Sequence, residues 1–321
     1  MQKKIKHKPE IKSKLHPRNK HRERYDLNAL SQTHPALKEF IITTEYGKES
    51  IDFFNHFAVK ALNVALLKHY YNVEYWDIPP RYLVPPIPGR ADYLHYVADL
   101  LAESNGGEVP KGNNVKCFDV GVGSSCVYPI IGVGEYGWSF ICSEIDAKAF
   151  ESSAKIIENN PSLNGLVDHK LQEDKYKIFD GIIAKDVLID VVICNPPFHA
   201  SLEDAKEANL RKLSNLKGKR ANNADRNFGG ISQELWCVGG ERKFVKNMIH
   251  ESVKYGYTCF WFTSLISRDE SIFPLKKELE RVKAKEIRVI PMGQGNKISR
   301  VLAWTFQSKE EQAEWAKTSW M

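Results

Sequence analysis

Val187-Leu188-Ile189-Asp190-Val191-Val192-Ile193-Cys194-Asn195-Pro196-Pro197-Phe198 decides how the chain is read. The first eight residues form a short, β-branched apolar run, the pattern of a buried strand. Two consecutive prolines end it, because they cannot donate to a ladder and they hold the preceding backbone extended. Asn195 and Phe198 are thereby fixed at the carboxyl end of that strand, where open α/β sheets bind ligands. The carboxamide of Asn195 offers an acceptor oxygen and two donor hydrogens, Pro196 adds a carbonyl acceptor, and Phe198 adds a flat apolar plate. Such a set suits a planar base or amide carrying an NH2 group. Acceptors aimed at both N–H bonds favour a tetrahedral nitrogen and stabilise positive charge as it forms. The ring holds the base so that the amine faces an electrophile. Alone, the tetrad reads as readily as a proline-terminated strand entering a surface loop, and the rest of the chain has to separate the two readings.

At 321 residues, with 42% apolar and 27% charged side chains, the composition is that of a soluble globular protein with one large domain and an appendage. No apolar run reaches membrane-spanning length, and the amino terminus lacks the apolar stretch of a secretory signal, so a cytoplasmic protein is expected. The six cysteines, at 117, 126, 142, 194, 237 and 259, form no paired motif, which argues against a disulfide framework or a bound metal. The chain's charge of +6 is concentrated at its start. Residues 1–24 hold ten Lys/Arg against two Glu, more than the whole excess. This segment is expected to be a disordered, RNA-binding arm in which Lys12, Lys14, Arg18, Lys20, Arg22 and Arg24 meet phosphates.

Residues 25–103 read as a helical appendage, with a helix-period pattern through Asp52–Leu66 and a second helix from Ala91 to Glu103. Five prolines in residues 79–88 make the segment between them an extended connector. A domain over 104–308 follows. Val115–Val120 is its first strand, and Gly121-Val122-Gly123-Ser124-Ser125 is a glycine-rich turn in which the backbone can approach a ligand and the next helix presents free N–H groups. A second strand, Trp138–Glu144, ends in an acid about twenty residues on, where a ribose-binding carboxylate belongs. Asp146 competes for that role but is better placed to cap the helix Ala147–Asn159. The turn lacks the third glycine of a dinucleotide fingerprint and a Walker lysine, which favours a mononucleoside such as S-adenosylmethionine over NAD or ATP. Val167–Leu171, with Gln172 at its end, is the third strand, and the strand before the tetrad is the fourth. Residues 199–240 read as a mobile basic insertion, with Arg211, Lys212, Lys217, Lys219 and Arg220 as further RNA contacts. Helices and strands alternate from 241 to 306, an α/β series, and residues 309–321 are left as a tail.

Asp119-Val120-Gly121-Val122-Gly123, Glu144 and Asn195-Pro196-Pro197-Phe198 together resemble the class I S-adenosylmethionine-dependent N6-adenine methyltransferases. His16-Pro17-Arg18-Asn19-Lys20, Pro88-Gly89-Arg90-Ala91-Asp92-Tyr93, Gly229-Gly230, Gly239-Gly240-Glu241 and Arg300–Phe306 narrow the resemblance to the RlmF type. That type acts on 23S ribosomal RNA and is related to the eukaryotic U6 small nuclear RNA methyltransferases. The resemblance implies a Rossmann-like fold, with a mostly parallel seven-stranded sheet and helices on both faces. It implies transfer of a methyl group to N6 of one 23S adenine, in naked RNA or an assembly intermediate. A monomer is expected because no apolar helix face is left over, and no metal because the cysteines form no ligand cluster. Carried over to this chain, Arg90, Asp119, Gly121, Gly123, Ser125, Glu144, Gln172 and Asn195 would hold the cofactor. Asn195, Pro196, Pro197 and Phe198 would serve the target base. Two rivals stand beside this reading. A protein glutamine-N5 methyltransferase could use the same tetrad on a side-chain amide, and an RNA-binding module could carry a spent site.

Overall fold

The computed structural model describes residues 14–201, 203, 204, 207, 236–294 and 297–320. Its appendage contains α1 (Leu27–Thr33), a two-stranded antiparallel hairpin of β1 (Ile41–Thr43) and β2 (Glu49–Ile51), α2 (His56–Tyr71) and α3 (Ile87–Ala102). The main domain follows with β3 (Lys116–Val120), α4 (Val127–Tyr136), β4 (Ser139–Glu144), α5 (Ala147–Glu158), β5 (Val167–Leu171) and β6 (Ile189–Cys194). Beyond the insertion come α6 (Gly240–Ser252), β7 (Cys259–Ile266), α7 (Ile272–Arg281), β8 (Glu286–Gln294), β9 (Lys297–Thr305) and α8 (Lys309–Ser319).

The seven strands of the main sheet lie in the order β5-β4-β3-β6-β7-β9-β8. Only β9 opposes its neighbours; the other pairings are parallel. Central strand β6 is apolar on both sides because helices cover both faces. Val191 and Ile193 pack into one core with α2, α3 and α4, while Val192 and Cys194 pack into the other with α6 and α7. The result is a Rossmann-like, mostly parallel sheet with helices on both faces. Among the described residues no helix is long and apolar enough to cross a membrane.

Three expectations for the amino-terminal part are corrected here. The stretch before α2 is not wholly helical: Thr44 and Gly47 turn the chain, and Ile41–Thr43 pairs back on Glu49–Ile51. Helix α3 begins inside the proline-rich connector, with Pro86 as N-cap and Pro88 in the first turn, where no amide is needed. The basic arm is not disordered across its whole length. Residues 14–24 dock on the appendage through Asp92 and Asp99, seven residues apart on one face of α3. His16 N (2.8 Å) and Asn19 Nδ2 (2.7 Å) donate to Asp92 Oδ1, while His16 Nε2 (2.8 Å) and Arg18 (2.7 Å) meet Asp99. His16, Asn19 and His21 are buried, and His21 pairs with the hydroxyl of Tyr71 at 2.8 Å.

The segment read as a carboxyl-terminal tail is also structured. Ser308 and Glu311 form a capping box that starts α8. Trp315 stacks on Phe260 with ring centroids 5.5 Å apart. The indoles of Trp315 (2.8 Å) and Trp320 (2.7 Å) donate to Asp190 Oδ1, and the amide of Lys116 (2.6 Å) donates to Oδ2. A carboxylate buried at the start of β6 therefore has three donors, which offsets part of its desolvation. Trp315→Ala removes a buried aromatic and one of those donors. It should lower unfolding free energy by about 3 kcal/mol, measured by urea denaturation.

Candidate active site

The site starts from a register. Strands β3 and β6 pair as Cys117↔Val191, Phe118↔Val192, Asp119↔Ile193 and Val120↔Cys194, so they end flush. From that shared end the chain leaves β3 toward β4 on one side, and the sheet continues from β6 through β7 on the other. Such a reversal leaves a crevice at the strand ends. Gly121 and Asn195, the next residues on each strand, stand side by side at its mouth.

Beneath Asn195 the ladder is completed by side chains. Pairing between β6 and β7 stops at Val192↔Phe262, two residues short of the end of β6. The amide of Cys194 donates instead to the hydroxyl of Tyr93 (3.2 Å), an α3 residue with no exposed surface. That hydroxyl shares a 2.7 Å bond with Thr263 Oγ1, which donates to the Val192 carbonyl at 2.8 Å. Pro196 and Pro197 follow with trans peptide bonds. Cys237 N donates to the His199 carbonyl (3.0 Å), and a bridge between His199 and Trp236 closes the neck of the insertion directly behind Phe198.

A single cavity is lined by Gly121, Gly123, Ser125, Glu144, Gln172 and the whole tetrad Asn195–Phe198, with Arg90 and Tyr128 on one wall. Sequence reasoning missed several of its walls: Leu83 and Pro85 of the connector, Tyr128, Lys175, Lys177 and Ile178 after β5, and Phe244 of α6. Asn63 in α2 holds the Pro85 carbonyl at 2.7 Å, a contact that a helix-period pattern cannot reveal.

The glycine turn differs from the expectation of free amides. Gly121 (φ +73°) and Gly123 (φ +67°) take left-handed conformations. Gly121 N (3.0 Å) and Val122 N (2.9 Å) both donate to the Ser143 carbonyl, and Gly123 N donates to Glu144 Oε2 at 2.8 Å. Helix α4 begins only at Val127, after Cys126 in a left-handed turn. With three amides spent on β4, the turn is not a phosphate nest, which carries forward the sequence argument against a dinucleotide or ATP. Glu144, almost fully buried, accepts also from Ile145 N (2.8 Å) and Asp146 N (2.9 Å) through Oε1. Asp146 caps α5 as expected, accepting from Lys148 N and Ala149 N. Gln172 is fixed by Asp180 O (3.1 Å) and Asp174 N (3.0 Å).

Around the cavity, three buried polar groups have no hydrogen-bond partner among the described residues: Asn195 Oδ1, Arg90 Nε and both carboxyl oxygens of Asp119. Burial pushes the Asp119 carboxyl well above the usual carboxylate range, Glu144 pushes the same way and Arg90 opposes. Arg90 donates to the hydroxyl of Tyr128 at 2.8 Å and lies 5.5 Å from its ring centre. Aliphatic and aromatic walls, one acid at the β4 end, the cations Arg90, Lys175 and Lys177 and an open acceptor at Asn195 fit a nucleoside with a tail that carries both signs of charge. S-adenosylmethionine has that chemistry.

The arm cations do not line this cavity. Arg18 is paired with Asp99 and donates to the His95 carbonyl at 2.9 Å; Lys20 meets Glu135 at 3.1 Å. Arg22 and Arg24 donate to the carbonyls of Pro17 and Glu49, and Lys14 is exposed. Lys12, Arg211, Lys212, Lys217, Lys219 and Arg220 lie outside the described residues, as does Gly229-Gly230.

A family model described as RNA methyltransferase matches residues 9–308. A Cytophaga hutchinsonii protein named ribosomal RNA large subunit methyltransferase F is 52% identical over 312 residues, covering 97% of each chain. Its namesake in Yersinia pseudotuberculosis is 50% identical over 313 residues, covering 97% of this chain and 93% of its own. Among solved structures, the catalytic domain of human Mettl16 in complex with a MAT2A 3′UTR hairpin superposes with a TM-score of 0.77 at 30% identity, over 92% of this chain and 96% of its own. The amino-terminal domain of human METTL16 in complex with SAH gives 0.71 at 25% identity, over 92% and 99%.

Glu144→Ala frees Gly123 N and removes the acid at the β4 end. Losing one charged hydrogen bond of roughly 2 kcal/mol should weaken S-adenosylhomocysteine binding about thirtyfold, read by calorimetry.

Proposed function

This chain belongs to the RNA methyltransferase family, and from that premise we propose that it transfers a methyl group from S-adenosylmethionine to N6 of one adenine in 23S ribosomal RNA. The observation that carries the reading is Asn195 Oδ1, a buried acceptor without a partner among the described residues, standing beside the glycine turn at the flush ends of β3 and β6.

When bound, S-adenosylmethionine supplies an activated methyl group on a sulfonium. The chain's residues do the rest. Asn195 Oδ1 and the Pro196 carbonyl accept from the two N–H bonds of the target amine, which turns its lone pair toward the methyl. Phe198 stacks on the base and fixes the line of approach. Gly121, Gly123, Ser125, Glu144, Gln172, Asp119 and Arg90 hold the cofactor, with Asn195 at the border between the two ligands. Hydrogen bonds preset by the Tyr93–Thr263 brace need no rearrangement as charge develops on nitrogen. No covalent intermediate is required, and the proton leaves to water.

The target adenine must leave its stack to enter such a cavity, which RNA loops and bulges permit at least cost. The Mettl16 domain bound to an RNA hairpin supports RNA as the substrate class. The lysines of residues 1–13 and the basic insertion would hold the RNA backbone, while Arg18 and Lys20 hold the arm itself in place. In this reading the chain acts as a monomer. The place of action is the cytoplasm.

Tritiated S-adenosylmethionine, unmodified 23S RNA and assembly intermediates, followed by nucleoside analysis, test this. Label in N6-methyladenosine is expected; label confined to a protein glutamine contradicts it. Deleting residues 1–13 should weaken RNA binding and flatten its salt dependence, by roughly 0.7 in log–log slope for each phosphate no longer neutralised. Cofactor affinity should stay unchanged.

A further inference from the structure

The acceptor on which the chemistry turns is not aimed by a hydrogen bond of its own. Asn195 Oδ1 has no partner among the described residues, so its direction comes from the backbone on either side. After it stand two prolines with trans peptide bonds. Before it the strand is held unevenly. Against β3, strand β6 is paired up to Val120↔Cys194, but against β7 only up to Val192↔Phe262. Backbone pairing alone would leave the last amide of β6 buried and unbonded on its β7 side, a costly state in the interior.

Tyr93 fills that gap. The Cys194 amide donates to its hydroxyl at 3.2 Å, the hydroxyl lies 2.7 Å from Thr263 Oγ1, and Thr263 Oγ1 donates to the Val192 carbonyl at 2.8 Å. Proton counting gives this chain of bonds a direction. Thr263 has one hydroxyl proton and spends it on Val192, so Tyr93 donates to Thr263 and accepts from Cys194. Burial pushes the Tyr93 hydroxyl well above the usual tyrosine range, so it keeps the proton this requires. The bonds begin and end on β6 and bracket Ile193, where the backbone pairing to β7 has stopped. Links that all run one way polarise each other in a low-dielectric interior. Tyr93 has no exposed surface and does not line the cavity, so it touches neither ligand. Its ring has a separate task, packing edge-on against Tyr128 at 5.6 Å on the wall that holds Arg90.

We propose that Tyr93 is a positioning residue for methyl transfer: its hydroxyl, through the directed bonds from Cys194 to Thr263, sets the direction in which Asn195 presents its acceptor to the target amine. This rests on the transfer reading above.

Tyr93→Phe keeps the ring and removes the hydroxyl. Single-turnover transfer to 23S RNA at saturating S-adenosylmethionine and RNA should fall about ten- to a hundredfold, the cost of a reacting group misplaced by up to ~1 Å, while both affinities stay within a few-fold. Thr263→Val, close in shape, should repeat the loss, and Thr263→Ser, which keeps the hydroxyl, should retain the rate. An unchanged rate in Tyr93→Phe, a loss matched by lost S-adenosylmethionine affinity, or a Thr263→Ser as slow as Thr263→Val overturns the proposal. Should Tyr93→Phe not fold, the two Thr263 variants decide. No transfer by the unmodified protein removes the transfer reading instead, and nitrogen-15 spectra of asparagine-labelled protein then test the positioning directly. The Asn195 carboxamide, identified by its loss in Asn195→Ala, should give one pair of proton signals in the unmodified protein and shifted or broadened signals in Tyr93→Phe. Identical signals in the two overturn the proposal.

Discussion

Two parallel strands ending at the same level, with the sheet continuing in opposite directions from their ends, is the constraint on which the rest depends. The Val120↔Cys194 pair sets it. A shift of one residue in that register would turn every side chain of β6 to the other face. It would send Val191 and Ile193 out of one core and Val192 and Cys194 out of the other. The register is held from below by Asp190, bonded to the Lys116 amide and to two indoles of the carboxyl-terminal segment. At the top it is held by Tyr93, which takes the Cys194 amide where the ladder to β7 has stopped. The prolines then carry this order into the tetrad, since neither can bend back into the sheet.

The electrostatics of the site follow from how the glycine turn is used. In a phosphate-binding turn the amides face the ligand. Here those of Gly121, Val122 and Gly123 face β4, and the charged side chains that line the cavity are Glu144, Arg90, Lys175 and Lys177. The Glu144 carboxylate suits a ligand with hydroxyl groups, and the acceptors of the tetrad suit a reaction that creates positive charge on an amine. The same arrangement explains why an unpartnered acceptor can persist at Asn195: a substrate N–H completes it.

Much of this was legible in the sequence because it is local. Apolar runs with period two or without polar breaks marked the strands, paired prolines located the end of β6, and Asp146 announced the start of α5. Gly121, Gly123, Ser125, Glu144, Gln172 and the tetrad Asn195–Phe198, singled out by motif spacing and the family resemblance, do gather at the cavity, as does Arg90, while Tyr128, Lys175, Lys177 and Ile178 were not foreseen. What escaped depends on partners far along the chain. A cationic arm looks solvated until Asp92 and Asp99 are seen to sit on one face of α3. A polar tail with two tryptophans looks like a tail until Asp190 is seen to accept from both. Proline in a first helical turn reads as a connector, and an aromatic such as Tyr93 reads as core rather than as a ladder cap.

Single-turnover methyl transfer by Asn195→Ala, with S-adenosylmethionine affinity measured in parallel, bears most directly on the claim that the acceptor at the flush strand ends performs the chemistry. Removing a preorganised hydrogen-bond partner of the transition state should cost roughly 10²–10³ in rate while cofactor affinity changes only a few-fold. A variant that keeps its transfer rate, or that loses cofactor binding in proportion to rate, would contradict the account.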